Sequence, residues 1–71
     1  MTLAVIGLGY VGLPLALEAS RSGLTVIGFD RSEAVVQALK AAQSHVDDIA
    51  DEDVRAMLDA GFRPSTDSTD L

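Results

Sequence analysis

The stretch Leu3-Ala4-Val5-Ile6-Gly7-Leu8-Gly9-Tyr10-Val11-Gly12 decides how this chain folds. Its first four residues form a continuous apolar run, the pattern of a strand covered on both faces of a parallel sheet. The next six carry glycine at the first, third and sixth places. Glycines cluster in many turns, so that spacing alone says little. The surroundings say more. An apolar strand leads in, and a helical pattern begins inside the motif, with Leu13, Ala16, Leu17 and Ser20 sharing one face at three- and four-residue spacing. Gly7 permits a tight turn out of the strand, Gly9 lets a bound phosphate approach the backbone, and Gly12 lets the helix pack closely on the strand. Free N–H groups near Tyr10 and Val11, with the helix dipole behind them, favour negative charge at that point.

Outward from the motif, Pro14 falls in the first helical turn, where an N–H has no partner to lose. Gly23 ends the helix. Residues 24–29 read as a second strand, β-branched and mostly apolar, with Asp30 at its carboxyl end. Ser32 is suited to cap a second helix, which turns Val35, Val36 and Leu39 inward and places Glu33 and Lys40 to complement its dipole. Residues 41–50 form a connector. Asp51 is expected to cap a third helix with Val54, Met57 and Leu58 on one stripe, closed by Gly61 with Phe62 packed back on Met57. Residues 63–66 begin a third strand, and residues 65–71 make a polar tail. The order β-α-β-α-α-β predicts an α/β fold: the first half of a Rossmann-type doubly wound parallel sheet with right-handed crossovers. Residues 1–71 are expected to be the N-terminal, incomplete part of one such domain, with no second domain in the chain.

Asp30 lies 18 residues beyond Gly12, close to the spacing of about 20 at which an acidic residue meets a ribose in dinucleotide-binding units. Its carboxylate would accept hydrogen bonds from the adenosine ribose hydroxyls and repel a 2′-phosphate, so the expected cofactor is NAD and not NADP. Arg31 either covers the adenine face or is a solvated charge. Tyr10 either lines the cofactor cleft or packs on the loop. His45 stands in the connector with no cysteine or second histidine near it, and is expected to be a surface residue or a local hydrogen-bonder, not a ligand. Asp47, Asp48, Asp51, Glu52 and Asp53 are concentrated, but lack the glycine and glutamate spacing of a calcium loop. They are expected to cap and solvate helices, with no metal bound.

Composition narrows the class. The chain has 71 residues, 48% of them hydrophobic, which suits a small globular unit. There is no cysteine to form a disulfide, bind metal or attack a substrate. A net charge of −6 with five Lys+Arg argues against nucleic acid or an anionic membrane as partner. Residues 1–6 are apolar but too few for a span or a secretory signal, so the expected location is cytoplasmic.

The string Gly9-Tyr10-Val11-Gly12-Leu13-Pro14, preceded by Ala4-Val5-Ile6-Gly7-Leu8, resembles the opening of the nucleotide-sugar dehydrogenases, which act on UDP-glucose or UDP-N-acetylmannosamine. Val26-Ile27-Gly28-Phe29-Asp30, Val46-Asp47-Asp48-Ile49 and Ser65-Thr66-Asp67 extend the likeness along essentially the whole chain. The resemblance implies an NAD-dependent oxidation of a UDP-sugar C6 alcohol to a carboxylate, by a homo-oligomeric enzyme whose catalytic cysteine lies beyond this segment. It also implies that Tyr10, Val11, Asp30 and Thr66 contact NAD, and that the segment alone is inactive. At Val35 the chain departs from the family, whose members often carry a basic residue there. Two other readings stand beside this one. The β-hydroxyacid dehydrogenases open with a similar loop, though usually with methionine where this chain has Val11. A non-catalytic nucleotide-binding module also fits, since no catalytic acid, base or nucleophile is evident outside the loop.

Overall fold

The computed structural model describes residues 1–67 and Thr69. Its elements are β1 (Thr2–Ile6), α1 (Gly12–Arg21), β2 (Thr25–Phe29), α2 (Glu33–Lys40), α3 (Asp51–Asp59) and β3 (Arg63–Ser65). Of the polar tail read from the sequence, Ser68, Asp70 and Leu71 lie outside the described residues.

Helix ends place the strands. Helix α1 closes at Gly23, whose N–H donates to the Ser20 carbonyl at 3.1 Å, while that of Leu24 donates to Ala19 at 3.1 Å. This paired closure needs a left-handed residue, and Gly23 takes φ +89°. Helix α3 ends the same way at Gly61, and the Phe62 N–H reaches the Met57 carbonyl at 2.9 Å. Phe62 is thereby turned into the core, 4% exposed. Helix α2 makes the closure without glycine: Ala42 takes φ +59°, and the Gln43 N–H bonds the Ala38 carbonyl at 2.8 Å. That alanine costs about 1–2 kcal/mol of backbone strain, set against burial of its methyl group.

The strands form one parallel sheet in the order β1-β2-β3. Thr2 pairs with Thr25 and Ile6 with Phe29, and Gly28 of β2 faces Pro64 of β3. This is the first half of the doubly wound sheet that the sequence led us to expect. Burial alternates along it: Val5, Val26, Gly28 and Pro64 are buried, while Thr2, Ala4, Ile6 and Thr25 are exposed. Within these residues the helices cover one face of β1, and Ile6, on the other, is 65% exposed. Both crossovers step to the next strand in the same direction, and crossovers of one hand then put every helix on one face. Against that face pack Leu13, Ala16 and Leu17 of α1, Leu39 of α2, and Val54 and Met57 of α3.

Two local expectations also change. Ala19, and not Ser20, completes the buried side of α1. The N-cap of α3 is Ala50, one residue before Asp51. The Asp51 carboxylate instead accepts the Ser44 N–H at 2.8 Å, pinning the connector to the helix start. Asp53 accepts the Ala50 N–H at 3.4 Å and pairs with Arg21 of α1 at 3.2 Å. Ser32 caps α2 as read, its hydroxyl accepting the Val35 N–H at 3.2 Å. Among the described residues, no helix is long and apolar enough to cross a membrane.

Candidate functional site: the glycine loop and the Asp30 carboxylate

The loop between β1 and α1 is hung from one residue. The Gly7 N–H extends the strand pairing by donating to the Phe29 carbonyl at 2.7 Å, and its φ of +89° then turns the chain. Leu8 drops its side chain into the core, 0% exposed. Gly28 makes the room: a Cβ there would come within 2.7 and 2.9 Å of the Leu8 methyl carbons and 2.9 Å of the Phe62 ring. Helix α1 begins with the Leu13 N–H on the Gly9 carbonyl at 3.0 Å. Gly12 abuts Gly7, since a Cβ on Gly12 would overlap the Gly7 carbonyl oxygen. Around Gly9, by contrast, no atom beyond its chain neighbours lies within 4 Å of where a Cβ would stand. The N–H groups of Gly9, Tyr10, Val11 and Gly12 find no acceptor among the described residues. Orphan amides at a helix start, with its dipole behind them, form a place for an anion.

Asp30 closes the other side. Its Oδ2 accepts the Leu8 N–H at 2.9 Å and its Oδ1 accepts the Ser32 N–H at 2.8 Å. The Leu8 bond first, and the Ser32 bond second, hold the carboxyl below its ordinary value. Partial burial opposes them, and the nearby His45 and Arg31 assist. A carboxylate offers about four acceptor positions, so each oxygen keeps capacity for one more donor, the requirement of a ligand with two adjacent hydroxyls.

Because the folded-state value is depressed, Asp30 contributes stability that is present above the unfolded value, about 3.9, and lost as pH falls through the folded one. The Leu8 and Ser32 amide resonances should therefore inflect below about pH 3.9. An NMR titration with the inflection above that value would contradict the two bonds.

Two clefts meet here. An open one of about 490 Å³ is lined by Gly7, Gly9, Tyr10, Val11, Gly12 and Leu15, with the carboxyl half of β1. A smaller one of about 210 Å³ is lined by Ile6, Gly7, Phe29, Asp30 and Arg31. They share Ile6 and Gly7, so the clefts beside the amide donors and the carboxylate adjoin at the carboxyl ends of β1 and β2. The structure thus brings together all but one of the residues singled out from sequence. The exception, Thr66, is exposed just past β3 and lines neither cleft. Tyr10 is 71% exposed in the larger cleft and does not pack on the loop. Arg31 is exposed at the rim beside Asp30.

Sequence reading missed three contributors. The motif gives Leu8 no role of its own. Gly28 carried a usable signal, because glycine inside a strand marks a close approach. His45 is no local hydrogen-bonder: its Nε2 lies 2.6 Å from the Leu8 carbonyl oxygen, 37 residues back along the chain.

Comparison with known proteins agrees with this geometry. The sequence profile of the NAD binding domain of the UDP-glucose/GDP-mannose dehydrogenase family matches residues 1–70. The chain is 39% identical over 46 residues to the UDP-N-acetyl-D-mannosamine dehydrogenase of Pyrococcus horikoshii, covering 65% of this chain and 11% of that protein. To the NDP-N-acetyl-D-galactosaminuronic acid dehydrogenase of Ralstonia solanacearum it is 35% identical over 66 residues, covering 92% of this chain and 16% of that protein. A solved structure of UDP-D-ManNAc dehydrogenase from Pyrococcus horikoshii superposes with a TM-score of 0.91 at 32% identity, over 100% of this chain and 18% of that one. The chain thus spans less than a fifth of the length of each of these proteins.

Proposed function

Because the chain belongs to the UDP-glucose/GDP-mannose dehydrogenase family, as part of its NAD binding domain, we propose that it forms the cofactor half-site of an enzyme oxidising the C6 alcohol of a UDP-sugar to a carboxylate. The relatives' names support a nucleotide sugar as substrate. Family membership also removes the β-hydroxyacid dehydrogenase alternative.

The observation that carries the proposal is the adjoining clefts of the orphan amides and the Asp30 carboxylate. NAD fits what the residues offer. The space a Cβ would fill at Gly9 admits the pyrophosphate, and the free N–H groups of residues 9–12 suit its charge. Asp30 has acceptor capacity left for two ribose hydroxyls. Tyr10 and Val11 form the exposed wall of the larger cleft, and Arg31 the rim over the adenine side. Thr66, beyond β3, would reach the cofactor only from the neighbouring strand end. When bound, NAD supplies the hydride acceptor. This chain's residues hold and orient it. No cysteine is present, so the proposed covalent steps on the sugar belong to residues elsewhere; the proposed enzyme is a cytoplasmic homo-oligomer.

Cofactor choice tests the reading. Calorimetry on the intact protein should show NAD bound in preference to NADP. Asp30→Ala should weaken NAD by about tenfold or more, since a hydrogen bond to a charged group is worth about 1.5–3 kcal/mol. The variant also releases the Leu8 and Ser32 amides, which harms both cofactors alike, so the NAD-to-NADP ratio is the decisive quantity. It should fall. A wild-type preference for NADP would overturn the role given to Asp30.

A further inference from the structure

We propose that His45 is a positioning residue for the cofactor, holding the glycine loop in its binding shape through the carbonyl of Leu8; the inference rests on the NAD reading above. Binding a pyrophosphate with four backbone amides requires those amides to share one orientation before the ligand arrives. Gly7 and Gly12 fix the two ends of the loop against each other, but a Cβ at Gly9 would meet nothing beyond its chain neighbours within 4 Å, so packing does not hold the middle. The task falls to Leu8 between them. Its side chain is fully buried, its N–H is held by Asp30 at 2.9 Å, and its carbonyl oxygen is met by His45 Nε2 at 2.6 Å. Two side chains from different parts of the chain grip the two ends of one residue.

The carbonyl His45 takes is not an arbitrary one. Leu8 stands four residues before Gly12, so its oxygen is the acceptor that the Gly12 N–H would use if α1 began one residue earlier. With the imidazole there, the first helical bond is that of Leu13 to Gly9, and the Gly12 amide stays available to a ligand. A carbonyl only accepts, so Nε2 is the donor in this contact. The other ring nitrogen, Nδ1, is buried with no partner among the described residues. A buried polar atom left unsatisfied is costly, and a histidine kept only to fill space would not need Nε2 aimed at this oxygen. The backbone on either side of His45 is braced. Ser44 donates its N–H to Asp51 at 2.8 Å and its hydroxyl to the Val46 carbonyl at 2.9 Å, and Val46 is 2% exposed. The ring therefore reaches the loop from a fixed base.

The test uses the intact protein with NAD as probe, and the variants His45→Phe and His45→Gln. Phenylalanine fills similar space without a donor, whereas glutamine keeps an N–H donor of comparable reach. His45→Phe should bind NAD about fivefold to tenfold more weakly, the worth of one net hydrogen bond, and His45→Gln should recover most of the loss. In turnover the KM for NAD should rise while the KM for the UDP-sugar and kcat at saturating NAD hold. Hydrogen exchange should quicken at residues 9–12 and not in α2 or α3. If His45→Phe does not fold, His45→Asn, too short to reach Leu8, replaces it with the same expectations. Wild-type NAD affinity in the donor-less variant overturns the proposal. So does a loss of affinity that glutamine fails to restore, or exchange that quickens equally through α2 and α3, which would mark a merely structural residue. A wild-type protein that binds no NAD overturns the cofactor reading itself, a result distinct from NAD binding that is indifferent to His45.

Discussion

Replacing Gly12 with alanine should unseat helix α1 from β1 and leave the protein unable to hold its glycine loop. The added methyl would overlap the Gly7 carbonyl oxygen, lie 2.7 Å from the Gly7 carbonyl carbon and press on Val5 at 3.4 Å. Two of those three neighbours are backbone, so no side-chain rotation relieves the clash. Overpacking in a core costs about 1–3 kcal/mol when side chains can adjust, and a backbone collision should sit at or above the upper end. Gly7 carries φ +89° and donates to Phe29, so pushing it aside also breaks the pairing that ends β1. A loss of about 3 kcal/mol corresponds to a drop of roughly 6–12 °C in a domain of about 150–250 residues. Thermal unfolding of the purified variant measures it, with NAD titration alongside. Unchanged melting and unchanged NAD affinity would show that Gly12 does not set the approach of helix to strand.

Gly9→Val should fail in the opposite manner, with the fold intact and the site blocked. No protein atom beyond its chain neighbours lies within 4 Å of the position a Gly9 Cβ would take, and Gly9 has no left-handed φ. The protein itself therefore has no objection to a side chain here. The space is open because, on the proposed reading, a pyrophosphate uses it. Valine would place three carbons there and shield the amides of Tyr10 and Val11. NAD affinity should fall by at least about a hundredfold, which is roughly 2.7 kcal/mol, while the melting temperature stays near that of the parent. Calorimetry and thermal unfolding on the same preparation separate the two effects. Retained NAD affinity would move the cofactor away from the loop. Two glycines of one motif, three residues apart, are thus expected to lose binding for different reasons: one through its contact with the protein, the other through the space it leaves open.

Much of the site could be read directly from the chain. Gly7, Gly9, Gly12 and Asp30 announce themselves because each does a job defined by its own backbone or by its place after a strand. The closures at Gly23 and Gly61 were equally plain, since a left-handed residue one step past a helix is a local requirement. The closure at Ala42 was not, because alanine gives no sign that it will adopt φ +59°. Asp51 was misread as a cap for a related reason. Its carboxylate prefers the Ser44 amide seven residues back, a partner that exists only once the connector has folded over it.

The sequence by itself determined the parallel α/β order, the glycine turn and the acidic residue across from it, because helical periodicity, capping and strand-end chemistry act over a few residues. Tertiary structure alone decided which groups meet Leu8 in that turn. Leu8 reaches Asp30 across 22 residues and His45 across 37, and neither separation leaves a periodic trace. It also decided which face of β1 these helices cover, because that depends on which way the crossovers turn.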